Sequence, residues 1–145
     1  MHPLLAKAKF DKDLAGVTDE LCEMRAWTVF NCEYPLFDVG FRSRLGASLR
    51  IRMECENWNE NPPAVEVLNW GGEYLTQMPP SSTGIFHAGP HKNTGRPFVC
   101  MKGTREYHTH ESHLGDHWDT VKSSADYRLG EIATQIWNAW RKANP

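Results

Sequence analysis

Ser48-Leu49-Arg50-Ile51-Arg52-Met53-Glu54-Cys55 alternates without a break. Leu49, Ile51, Met53 and Cys55 fall on one side, and Arg50, Arg52 and Glu54 on the other. This two-residue period predicts a strand with one packed and one solvated face. A strand of that kind belongs to an antiparallel sheet, and the flanking sequence supplies its neighbours. Upstream, Trp27, Val29 and Phe30 are strand formers, Tyr34-Pro35 punctuates, and residues 36–41 resume as a strand before a turn at 44–47. Downstream, Asn59-Glu60-Asn61-Pro62-Pro63 cannot join a ladder, and Ala64-Val65-Glu66-Val67-Leu68 reads as the next strand. The expectation is a four-stranded antiparallel meander.

Helices are expected on both sides of it. Residues 3–24 carry an imperfect apolar stripe of Leu4, Leu5, Ala8, Leu14, Val17 and Leu21, with Pro3 at the start and Gly16 as a break. Near the end, Leu129, Ile132, Ala133, Ile136, Trp137 and Trp140 fall on one face of a helix over 127–142, with Ser124 or Asp126 as its cap. Between sheet and helix, residues 71–119 show little regular pattern, a length that points to function. The fold class is α+β, in one domain spanning 1–145: N-terminal helix, meander, long cysteine-bearing loop, C-terminal helix.

The chain of 145 residues is 40% hydrophobic and 23% charged, with a net charge of −2. This balance argues against general nucleic-acid binding. No apolar run approaches the ~20 residues that cross a bilayer, so no membrane association is expected. The charged start lacks a secretory signal, and a cytoplasmic location is expected. Cys22, Cys32, Cys55 and Cys100 include no C-x-x-C pair and read as reduced thiols.

Cys100 closes a turn-rich stretch, Phe86-His87-Ala88-Gly89-Pro90-His91-Lys92-Asn93-Thr94-Gly95-Arg96-Pro97-Phe98-Val99. It is either a small buried hydrophobe or a nucleophile. Nearby imidazoles and amides, with Lys102 and Arg105 just after it, favour the nucleophile, because cations favour thiolate. His108-Thr109-His110-Glu111-Ser112-His113, followed by His117, has metal-ligand spacing. It is similar to the motif of metallo-β-lactamase-like hydrolases, but Ser112 stands where those carry aspartate. The alternatives are a zinc held by some of His108, His110, His113 and His117, or a solvated polar loop. A further arrangement sets Cys100 with one of these histidines and Asp116 or Asp119 as a hydrolytic triad.

Taken together, the pieces resemble the ubiquitin-conjugating enzyme (UBC-like) superfamily. Asn61-Pro62-Pro63-Ala64-Val65-Glu66-Val67 is similar to the P-P-x-V-x-F leading into that family's fourth strand. His91-Lys92-Asn93 resembles the His-Pro-Asn before its catalytic cysteine. Trp118 and the following helix are similar to the tryptophan and helix after it. Lys92 replaces the proline, and the His-rich stretch lengthens the path to Trp118. These departures resemble bacterial-type relatives, some of them His-rich and described as metal-binding.

The resemblance implies that Cys100 accepts a ubiquitin-like protein from an activating enzyme as a thioester and passes it to a protein amine acceptor. It implies Asn93 as oxyanion donor with His91 as second choice. Asp116, Asp119 or one of the histidines between His108 and His117 would be the general base. No cofactor is required on this reading, whereas zinc belongs to the metal alternative. Lys7, Lys9 and Lys12 on the first helix would face the activating enzyme, or else simply line a solvated face.

Overall fold

A computed structural model describes residues 1–81 and 83–145. The loop expected over residues 79–84 therefore includes one position, Ser82, outside the described residues.

The first helix, α1 (Pro3–Leu14), starts at His2, whose Nδ1 accepts the Leu4 N–H. Its buried residues are Ala6, Phe10 and Leu14, while Leu4 and Leu5 are 72% and 51% exposed. The first half of the expected stripe thus misses the core, whereas Leu14 is buried and Val17 and Leu21 pack against it. Phe10, absent from that stripe, sets the rotation by packing edge-on against Tyr34 at 5.6 Å. Helix α2 (Asp19–Arg25) is capped by Thr18 and stops at Ala26, which takes a left-handed conformation.

Strands β1 (Trp27–Glu33), β2 (Leu36–Arg42), β3 (Ser48–Glu54) and β4 (Ala64–Leu68) form an antiparallel sheet in the order β1-β2-β3-β4. Val39 pairs with Ile51, and Ile51 with Val67, so like faces align across the sheet. Phe37, Val39, Phe41, Leu49, Ile51, Met53, Val65 and Val67 are buried on the inner side. There they join Leu129, Ile132, Ala133, Ile136 and Trp140 of helix α4 (Leu129–Ala143) in one core. Truncating any of these large aliphatic side chains to alanine costs about 2–5 kcal/mol.

The outer face is less solvated than the alternation predicts. Arg50 donates to both carboxylate oxygens of Asp38 at 2.8 Å and to the Trp70 carbonyl at 3.0 Å, and lies over the Phe30 ring. Gly40 makes room for this cover: a Cβ there would lie 2.5 Å from the Trp70 ring.

Residues 71–119 are more ordered than their sequence suggests. Strands β5 (Phe86–His87) and β6 (Phe98–Val99) form a small hairpin, and α3 (Arg105–Thr109) precedes 3-10 turns at Glu111–His113 and Trp118–Thr120. This segment satisfies the free edge of β4. Arg105 N–H donates to the Pro63 carbonyl, Glu106 accepts the Val65 N–H, and Leu75 N–H donates to the Val67 carbonyl. Pro63, Val65 and Val67 thereby each carry a bond along this edge.

The C-terminal cap also differs. Ser124 caps the 3-10 turn Ala125–Tyr127, while α4 begins two residues later. The Leu129 N–H is accepted at 3.4 Å by Asp13, which also takes the Trp58 indole N–H at 3.0 Å. No helix among the described residues is long and apolar enough to cross a membrane.

Candidate functional site around Cys100

The apolar pair Phe98-Val99 is buried and anchors β6, so the chain leaves the core at Cys100. The Cys100 N–H donates to the Ile85 carbonyl at 2.7 Å and extends the hairpin by one rung. Thr104 then ties the segment down. Its hydroxyl lies within hydrogen-bond distance of the Val99 and Met101 carbonyls and accepts the Tyr107 N–H, capping α3. Gly103, at φ +105°, turns the chain where a Cβ would meet the Tyr127 ring at 2.9 Å. Cys100 is left half-buried at the edge of this knot, in contrast to Cys55, which is enclosed in the core. All four thiols are free.

Burial pushes the Cys100 thiol up. The two cations expected to favour its thiolate are matched by carboxylates: Lys102 with Asp116 at 3.0 Å, and Arg105 with Glu54 at 3.1 Å. Asp116 also accepts the Tyr107 phenol at 2.7 Å. That bond, then Lys102, holds the Asp116 carboxyl below the usual range. Tyr107 is raised, first by its bond to Asp116, and the Cys100 charge contributes. Burial thus acts unopposed on Cys100, whose nearby cations in sequence are neutralised by carboxylates.

The other residues named from sequence are distributed around this centre. His91 is buried: its Nδ1 accepts the Asn93 N–H at 3.1 Å, so Nε2 carries the hydrogen and donates to the Glu106 carbonyl at 2.9 Å. Asn93 is exposed in the loop 88–97 that closes the β5–β6 hairpin. This loop and Cys100 lie at opposite ends of β6. Asp119 is 76% exposed, pairs with Lys122 at 3.1 Å, and lines an open groove of about 570 Å³ with Arg105, His108 and His117. On α1, Lys7 pairs with Asp11 and Lys9 donates to Asn59.

The histidines stack and cap. His108 accepts the Gly103 N–H at Nε2 (3.1 Å), so its Nδ1–H donates to the Asp116 carbonyl (2.8 Å). Burial, first, lowers its pKa. His110 caps the turn Glu111–His113 through Nδ1 and lies against Phe98. His113 stacks on Tyr107 at 3.9 Å. His117 precedes the turn Trp118–Thr120 without a side-chain capping bond. Among the described residues, no three His, Cys, Asp or Glu side chains form a group that could hold a metal ion.

Two groups escaped sequence reasoning. Tyr107 reaches Asp116 only through the α3 turn. Glu106 is 5% exposed and is pushed up to about 7, chiefly by burial, while accepting the Val65 N–H. Thr104 followed by Glu106 is a helix-start pattern that could have located α3, but nothing local shows that the carboxylate turns inward.

A family model described as Y4jH-like, the Y4jH family, matches residues 83–143. The matched part is under half of the chain and holds the hairpin, Cys100, α3 and α4. No curated protein matches the chain.

Proposed function

We propose that the chain is a UBC-like conjugating enzyme that carries a ubiquitin-like protein on Cys100. The observation that supports this reading best is the half-buried Cys100 presented between β6 and α3, after a helix and a four-stranded meander and before a packed C-terminal helix.

The Cys100 sulfur attacks the carbonyl carbon of the thioester on the activating enzyme. A new C–S bond forms, the enzyme's thiol leaves, and the ubiquitin-like protein rests on Cys100. An acceptor amine then attacks the same carbon. The C–N bond forms, the C–S bond breaks, the amine proton passes to a base, and Cys100 departs as thiol. The raised thiol suits the waiting stage, because a more basic sulfur is a poorer leaving group and holds the acyl group until an amine arrives. No cofactor enters either step.

The oxyanion needs a donor, worth about 3 kcal/mol of barrier. The resemblance assigns this role to Asn93, and the loop that carries it, which meets β6 at the end away from Cys100, must swing toward the sulfur to serve. His91 serves as a brace for the Asn93 loop, since both of its ring nitrogens are bonded. The exposed carboxylate of Asp119 is the candidate base, because Asp116 already accepts from Tyr107 and Lys102, which makes it the weaker base.

The test combines the protein with ATP, a ubiquitin-type activating enzyme and a ubiquitin-like substrate. A thiol-sensitive adduct is expected, absent in Cys100→Ala and thiol-resistant in Cys100→Ser. No adduct with a demonstrably active partner would overturn the proposal and leave a non-catalytic adaptor.

A further inference from the structure

A second site lies away from Cys100, between the end of α2, the turn joining β2 to β3, and the last turns of α4. It is a groove of about 530 Å³. Five cations line it: Arg25, Arg42, Arg44, Arg141 and Lys142. No Asp or Glu does, and none of the five forms an ion pair among the described residues. On a chain of net charge −2, this is a local excess of positive charge.

Three of the five, Arg25, Arg42 and Arg141, are held in place. Arg25 donates to the Thr134 hydroxyl at 2.9 Å and lies over both Trp27 and Trp137. Arg141 lies over Trp137 at 4.2 Å and donates to Asn138. Arg42 lies over Trp70 at 4.2 Å. Guanidiniums fixed on indole rings lose little freedom on meeting an anion, and their planar forks suit carboxylate.

The neighbours narrow the ligand. Single-stranded nucleic acid binds by stacking bases on open aromatic faces. Here Trp137 is already covered by Arg25 and Arg141, and its edge contact is Trp27. The free apolar groups are aliphatic instead: Met24, which lines the groove, and Leu45 in the β2–β3 turn are 80% and 86% exposed. Clustered arginines beside flexible aliphatic side chains match a peptide that alternates carboxylates with apolar residues.

We propose that this groove docks an acidic, apolar-containing segment of a protein partner. It goes beyond the thioester reading and does not depend on it, because no residue of the Cys100 segment lines the groove.

The test titrates the full chain into a fluorescein-labelled peptide of alternating Glu and Leu and follows anisotropy, with a Gln-Leu peptide and oligo-dT as comparisons. Expected are saturable binding to the Glu-Leu peptide, loss with the Gln-Leu peptide, and weakening as salt rises. Arg42→Glu with Arg44→Glu should weaken binding roughly tenfold or more. Arg44→Glu with Lys142→Glu, at two exposed positions without stacking partners, should do the same and keeps the test valid if the first pair disturbs Trp70. Absent binding, binding indifferent to both charge-reversed pairs, or tighter binding of oligo-dT than of the peptide would each overturn the proposal.

Discussion

Glu106 turns its carboxylate inward onto the backbone N–H of Val65, so one buried acid closes the outer edge of β4. The same residue's carbonyl receives His91. The segment carrying Cys100 is therefore bound to the sheet through the residue that follows Arg105, and titration of Glu106 bears on how firmly it is held.

Glu106 is raised from 4.5 to about 7 in the folded chain, so the folded state binds its proton more tightly than the unfolded state. Its contribution to stability is full below about 4.5 and is lost as pH rises toward about 7, on the order of 3 kcal/mol in all. Glu106→Gln keeps an acceptor for Val65 and removes the charge. The variant should match the native chain near pH 4.5 and exceed it by roughly 1–3 kcal/mol at pH 8, read from urea unfolding at both pH values. Equal differences at the two pH values would count against a buried, titrating Glu106.

His108 has the opposite sign. Its lowered pKa means that stability is present above the unfolded value and is lost as pH falls, when a proton on Nε2 ejects the Gly103 N–H. His108→Gln should flatten the acid limb of the unfolding profile. A profile of unchanged shape would contradict this assignment.

Asp116 neutralises Lys102 two positions from Cys100. Asp116→Asn leaves that ammonium unmatched and should favour the thiolate. Alkylation of Cys100 by iodoacetamide at pH 7.5, measured with the other cysteines replaced by serine or alanine, should accelerate roughly two- to fivefold. Slower alkylation would mean that Lys102 swings away once released.

His91 is braced at both nitrogens and buried. His91→Ala leaves the Asn93 N–H and the Glu106 carbonyl without this partner and opens a cavity beside Phe98, which His91 touches edge-on. A loss of about 2–4 kcal/mol is expected in urea unfolding. A stable variant with a selective loss of adduct formation would instead make His91 a direct participant in the chemistry.

Chelation provides a separate check on the histidines. With His108 bonded at both nitrogens and His113 stacked on Tyr107, exhaustive treatment with EDTA should leave the unfolding midpoint unchanged. A fall in the midpoint, restored by zinc, would establish a metal held by this stretch.

The local pattern of the chain determined a good deal. The alternation of Leu49, Ile51, Met53 and Cys55, the break at Tyr34-Pro35 and the 3.6-residue stripe of α4 depend on near neighbours, and each appears in the fold where it was expected. The sequence also singled out Cys100 as the thiol that closes a turn-rich loop. What it could not contain is which polar groups meet. The phase of α1 was decided by Phe10 meeting Tyr34, and the cover on the outer sheet face by Trp70 reaching Gly40. Lys102 and Arg105 look like helpers for a thiolate until Asp116 and Glu54 arrive from other segments and match them. The histidines have ligand spacing along the chain, yet backbone groups occupy His108 and an aromatic ring covers His113. Hydrophobic period is a property of the strand or helix that carries it. Charge matching, tautomer and burial belong to pairs brought together from distant positions, and only the packed chain settles them.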